Sequence, residues 1–93
     1  MKTVRVAIEG RVQGVAYRAW TQREARKLGL GGWVRNRSEG WVEALFRGPE
    51  NMVAEMLAAC ARGPAAAQVS AVRILGEGES GPADPVFLVR PSK

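Results

Sequence analysis

The sequence predicts an α+β sandwich in which two helices cover one face of an antiparallel sheet. Three observations predict it. Apolar residues alternate in two-residue steps in several short stretches, they recur at three- and four-residue spacing in two others, and the resulting order is strand, helix, strand, strand, helix, strand, strand.

Thr3 to Glu9 alternates, with Val4, Val6 and Ile8 on one face and Arg5, Ala7 and Glu9 on the other, which is the period of a half-buried strand. Gly10 to Tyr17 breaks that pattern. From about Arg18 the spacing is helical: Tyr17, Thr21, Ala25 and Leu28 share a face while Arg23, Glu24, Arg26 and Lys27 stay wet. Gly29 ends this helix, because glycine takes the left-handed conformation after a cap and Leu30 can then fold back over the last turn. Trp33 to Asn36 is a short extended run, Arg37 to Gly40 a turn, and Trp41 to Arg47 alternates with Val42, Ala44 and Phe46 on one face, so the two runs form a hairpin. Gly48-Pro49 breaks the strand, after which Val53, Met56, Leu57, Cys60 and Ala61 mark a second helix that ends at Arg62-Gly63-Pro64. Val69 to Leu75 is a strand, Gly76 to Pro85 a loose connection, and Val86 to Arg90 a closing strand with Phe87 and Val89 on one face. The βαββαβ order plus a short C-terminal strand is the split layout of a ferredoxin-like sandwich, and residues 1–93 are expected to form one domain.

Composition narrows the chemistry. The chain lacks histidine, which excludes Ser-His and Cys-His nucleophile pairs, His-ligated zinc and imidazole acid/base catalysis. Cys60 is the single cysteine, so no internal disulfide and no thiolate metal cluster can form. One Asp and eight Glu are spread out, without the clustered carboxylates that hold magnesium or cleave glycosides. Neither a metal nor a cofactor is expected, and any catalysis must work by placing charge and positioning reactants. No apolar run approaches the roughly 20 residues a bilayer crossing needs, and Met1 to Gly10 does not read as a leader, so the expectation is a cytoplasmic protein with no membrane partner. The net charge of +5 favours anionic partners, yet the basic residues are scattered and no nucleic-acid tail is expected.

The stretch with the most chemistry is Gly10-Arg11-Val12-Gln13-Gly14-Val15-Ala16-Tyr17-Arg18, a glycine-bearing loop between a strand and a helix start. Glycine lets consecutive N–H groups point into one hollow, a helix N-terminus adds partial positive charge, and Arg18 adds a full charge with a planar fork of donors. A tetrahedral oxyanion fits such a hollow. Equally, the glycines can serve only a tight turn, with Arg18 solvated, and the loop by itself leaves both readings open. Arg18 does sit where a helix dipole favours an acid by about 0.3 to 1 kcal/mol, which favours an anion arriving from outside.

Downstream lie Gly29-Leu30-Gly31-Gly32-Trp33-Val34-Arg35-Asn36 and Glu39-Gly40-Trp41-Val42-Glu43. Together with the first loop these blocks resemble the acylphosphatase family, whose loop reads G-x-V-Q-G-V-x-[FY]-R and whose second block reads L-G-L-x-G-W-V-x-N, followed by an acid-Gly turn and V-E. Agreement runs nearly position by position from Gly10 to Glu43. The main departures are the Gly- and Pro-rich Gly76 to Pro85 segment and the Arg90-Pro91 ending.

The resemblance implies hydrolysis of acyl phosphates to a carboxylate and inorganic phosphate, with phosphate as product and competitive ligand. It matches Arg18 to the family's phosphate-binding arginine and Asn36 to its water-orienting asparagine. It also implies that the backbone amides of Gln13, Gly14, Val15, Ala16, Tyr17 and Arg18 surround the phosphoryl oxygens. Trp20, Trp33 and Trp41 are expected to pack, Glu43 to be a strand-face residue, and Arg11, Arg35 and Arg37 to form a positive surround or simply to be solvated surface charges. A monomer is expected. The competing class is a non-catalytic phosphate- or nucleic-acid-binding ferredoxin-like module, but the paired aromatics of an RNA-reading sheet are missing from Val4, Val6 and Ile8.

Overall fold

The computed structural model describes residues 1–78 and 86–93. Its elements follow the expected order: β1 (Lys2–Arg11), α1 (Tyr17–Lys27), β2 (Gly31–Asn36), β3 (Val42–Gly48), α2 (Glu50–Arg62), β4 (Gln68–Glu77) and β5 (Phe87–Val89). The sheet runs β4-β1-β3-β2-β5, with β1 pairing antiparallel to β3 and β4, and β2 antiparallel to β3. The fifth strand departs from the expected all-antiparallel sheet. It lies parallel to β2, Gly32 opposite Phe87 and Val34 opposite Val89, and makes the sheet mixed. β2 ends the antiparallel hairpin with a free edge, and β5 satisfies it: Gly32 N–H donates to Val86 and Arg90 N–H to Val34, at 3.0 and 2.8 Å. Most of the expected 76–85 connection lies outside the described residues.

The alternation read from β1 and β3 places Val4, Val6, Ile8, Val42, Ala44 and Phe46 under the helices, all fully buried. α1 adds Tyr17, Thr21 and Ala25, and α2 adds Val53, Met56, Ala59 and Cys60; Ala61, expected on this stripe, faces solvent. Phe87 of β5 closes the core by stacking on Phe46 at a centroid distance of 5.5 Å. Burial of these side chains drives the packing of both helices, at roughly 1.5 to 3 kcal/mol for each large apolar one.

The end of α1 has the geometry expected of Gly29. Its φ is +69°, Leu30 N–H donates to Ala25 at 3.0 Å, Gly29 N–H donates to Arg26 at 3.1 Å, and Leu30 is fully buried. This cap turns the chain directly from α1 into β2, which sets Asn36 at the far end of β2 beside the start of α1.

The outer face of the sheet is less open than alternation implies. Ala7, Leu45 and Glu43 are buried there. Among the described residues, no helix is long and apolar enough to cross a membrane.

Candidate active site

A cleft of about 280 Å³ lies where the loop after β1 meets α1 and the ends of β2 and β5. Gly14, Ala16, Tyr17, Arg18 and Asn36 line it, together with Val12, Ala19, Gln22 and Val89. The fold thus brings Arg18 and Asn36, eighteen positions apart in sequence, to one hollow. Gln13 and Val15 belong to the loop but do not line the cleft.

Their side chains anchor the loop. Val12 is fully buried and Val15 packs half-buried against the core. The Gln13 side-chain amide donates from Nε2 to two carbonyls of the β2–β3 turn, Arg37 at 2.8 Å and Trp41 at 2.9 Å. Those bonds stitch the loop to the residue that follows Asn36. Tyr17 fixes the helix start from the other side, its hydroxyl donating to the Cys60 carbonyl on α2 at 2.8 Å.

Between these anchors the backbone turns through left-handed conformations. Gly14 has φ +75°, and Ala16, the residue before α1, has φ +59° and ψ +26°. Positive φ is uncommon outside glycine and costs an L-residue about 1 to 2 kcal/mol, so Ala16 holds strain at this point of the loop. Among the described residues, the amides of Gln13 to Ala19 donate to no backbone carbonyl. No acid stands in the first turn of α1, no side chain caps it, and Arg18 forms no ion pair with any described residue. Amides without a backbone acceptor, a helix N-terminus and the partly buried Arg18 thus lie along one loop with no acid among the described residues to neutralise them.

Asn36 is held by its backbone and free at its side-chain oxygen. Its carbonyl accepts from Lys93 N–H at 2.9 Å, and it stands opposite Val42 in the β2–β3 ladder. Its Oδ1 is buried without a hydrogen-bond partner among the described residues. Such an orphaned acceptor costs about 1 to 3 kcal/mol, a cost relieved if the amide turns far enough for a donor such as water to reach it.

Two other titratable groups near the site are silent at neutral pH. Burial, reinforced by Cys60, holds the Tyr17 phenol well above its ordinary range, and burial pushes the Cys60 thiol up to about 12 despite the Tyr17 hydroxyl. Neither can serve as a base or nucleophile there.

Two of the arginines expected to surround the site, Arg35 and Arg37, are bonded elsewhere, while Arg11 is exposed. Glu43, far from being a simple strand-face residue, accepts from Arg35 at 2.7 Å, Arg5 at 3.0 Å and Arg37 at 3.3 Å. Burial raises the Glu43 carboxyl, but the hydrogen bond and charge of Arg35, then Arg5 and Arg37, outweigh it and hold the group below its usual 4.5.

Comparison with known proteins shows the family. A model of the acylphosphatase family matches residues 4–84. The chain belongs to the acylphosphatase family. An acylphosphatase of Rhodospirillum rubrum is 52% identical over 92 residues, 99% of each chain. The crystal structure of an acylphosphatase from Bacillus subtilis superposes with a TM-score of 0.90 at 37% identity, covering 97% of this chain and 99% of that one. Full-length HypF contains a similar unit: the TM-score is 0.80 at 26% identity, and this chain spans 12% of that protein.

Sequence reasoning did not find Gln22 and Val89 in the cleft. Gln22 stands one helical turn beyond Arg18, so the spacing of four was a usable signal. It donates from Nε2 to the Phe87 carbonyl at 3.0 Å and so ties α1 to β5. Val89 carried no such signal, because its place depends on the parallel pairing of β5.

Proposed function

We propose that this chain hydrolyses the carboxyl–phosphate bond of acyl phosphates by in-line attack of a water oriented by Asn36 on a phosphoryl group held by Arg18 and the loop amides. The observation that supports this reading most is that Asn36 and Arg18 line one cleft while Asn36 Oδ1 has no partner among the described residues. Oδ1 can accept one O–H of a water and so fix the direction of its lone pair, without acting as a base.

In this scheme the phosphoryl oxygens take N–H donors from the Gln13 to Arg18 stretch, and the Arg18 guanidinium supplies charge that strengthens as negative charge spreads over them. The water oxygen forms a bond to phosphorus as the bond from phosphorus to the acyl oxygen breaks. The electron pair leaves with the carboxylate, and the water's proton passes to a phosphoryl oxygen. A carboxylate is a good leaving group, so the scheme needs no histidine. All of the groups it uses lie on one chain, in keeping with a monomer, and inorganic phosphate competes with substrate for the same donors.

Hydrolysis of benzoyl phosphate in EDTA, followed with wild type and Asn36→Ala, tests the assignment. Turnover of the variant is expected to fall roughly a hundredfold to a thousandfold, while inhibition by inorganic phosphate changes little, because aiming water and holding the anion are separate tasks. Equal turnover of the two proteins would overturn the role of Asn36, and loss of wild-type turnover in EDTA would overturn the metal-free scheme.

A further inference from the structure

Across the sheet from the cleft is a second hollow, of about 570 Å³, lined by Arg35, Arg90, Pro91, Ser92 and Lys93. Successive residues of a strand point to opposite faces, so Arg35 and Asn36 of β2 serve opposite sides of the sheet. The two hollows therefore share a strand but no lining residue.

Among the described residues, three of the five lining side chains are cations and none is an acid. Arg35 is already fixed, bonded to Glu43 at 2.7 Å and lying 4.7 Å from the centre of the Trp33 ring. Arg90 lies over the same indole at 5.2 Å and, like Lys93, forms no ion pair with any described residue. Glu43 is committed to three guanidiniums at once, so it cannot neutralise the additional charge at this rim. Arg90 and Lys93, without an ion pair to any described residue, leave this rim positive and favour the entry of an anion.

The backbone around the hollow is built rather than frayed. Arg90 N–H donates to Val34 at 2.8 Å, Lys93 N–H to Asn36 at 2.9 Å, and Ser38 N–H to the Lys93 carbonyl at 2.9 Å. Residues 90–93 thus extend the β2 edge as a strap. That strap and the Trp33 plate fix the two guanidiniums, which reduces the entropy lost when they bind a ligand.

We propose that this hollow is a second anion site, separate from the cleft, that takes a di- or triphosphate chain. Two planar guanidinium forks suit phosphate oxygens, Lys93 adds a mobile point charge, and the Ser92 hydroxyl offers a further donor. A phosphate chain spans three cations as a single phosphate cannot. It can come as free pyrophosphate or as the tail of a nucleotide.

Calorimetric titration at fixed, moderate salt distinguishes these. It uses Arg18→Ala protein, in which the cleft is weakened as an anion site, and the same protein carrying Arg90→Ala and Lys93→Ala in addition. Pyrophosphate is expected to bind the first at one site and the second roughly tenfold or more weaker, the scale of losing hydrogen bonds to charged groups. ADP run in parallel identifies the source: affinity equal to pyrophosphate marks the phosphate chain alone, and tighter binding marks a nucleotide. The substituted side chains lie on the surface, and far-UV circular dichroism checks that both proteins are folded. No binding to the Arg18→Ala protein, or equal binding to both, overturns the proposal.

Discussion

Arg18 and the arginines around Glu43 lie on opposite faces of one sheet, and they show two ways of using the same side chain. On the outer face Arg5, Arg35 and Arg37 converge on one carboxylate that is only 4% exposed, and its oxygens are saturated by the protein itself. In the cleft the pattern is inverted: Arg18 and the start of α1 line it, and no described acid meets them. The Glu43 carboxylate, saturated in this way, stabilises the fold and has no capacity left for a ligand. An unsaturated cluster costs stability and has its binding capacity in reserve. The comparison predicts that substitutions on the two faces separate cleanly into effects on activity and effects on stability.

The largest expected effect is Arg18→Ala. Losing one preorganised charge-stabilising donor costs about 3 to 4 kcal/mol of transition-state stabilisation, so turnover of benzoyl phosphate should fall by roughly a hundredfold to a thousandfold. Unfolding in urea should keep its midpoint or move to slightly higher denaturant, since a cation facing a helix N-terminus is removed. A clear loss of stability would mean that Arg18 has a structural partner and would blur the contrast.

Glu43→Gln is the converse. The change leaves three guanidiniums that can still reach water instead of one stranded charge, so the cost falls below the roughly 3 to 5 kcal/mol of breaking a fully buried pair, at about 2 kcal/mol by urea unfolding at neutral pH. Turnover at saturating substrate should change less than tenfold. The same variant sharpens the comparison through pH. The folded Glu43 carboxyl lies below its usual 4.5, so its contribution is fully present above that value and is lost as pH falls through the lower folded one. Wild type should therefore lose stability toward Glu43→Gln on acidification below 4.5, and a gap unchanged down to strongly acid pH would show that charge is not its source.

The two faces also differ in how far they could be read from sequence. The helical face was legible because its residues obey a period: Val4, Val6, Ile8 and Val42, Ala44, Phe46 follow the alternation, and Gly29 marks the α1 cap. The cleft was legible in part. Arg18 and Asn36 stand in ordered blocks that resemble the family, while Gln13 carried a glutamine in the right loop with no indication that its amide would bridge to the carbonyls of Arg37 and Trp41. The outer face was not legible. Glu43 obeys the alternation expected of a wet position, and what buries it is the register that sets Ala7 and Arg35 opposite it. Register and the parallel placement of β5 are choices made between distant segments, and neither leaves a local mark.

The smallest expected effect falls on Ala16, where the cleft stores its strain. At φ +59° and ψ +26° an alanine pays about 1 to 2 kcal/mol for its Cβ, which glycine would not. Glycine gives back part of that gain through the greater freedom of the unfolded chain, by roughly 0.5 to 1 kcal/mol, so Ala16→Gly should stabilise by no more than about 1 kcal/mol. The urea midpoint reads that gain. Turnover should fall only a few-fold, because Val12, Val15 and the Gln13 side chain still hold the loop while its amides lose one fixed pivot. If stability instead drops, the anchors and not Ala16 carry the cost of this turn. The excess free energy of the cleft would then reside in its unneutralised donors, which is where binding an anion can recover it.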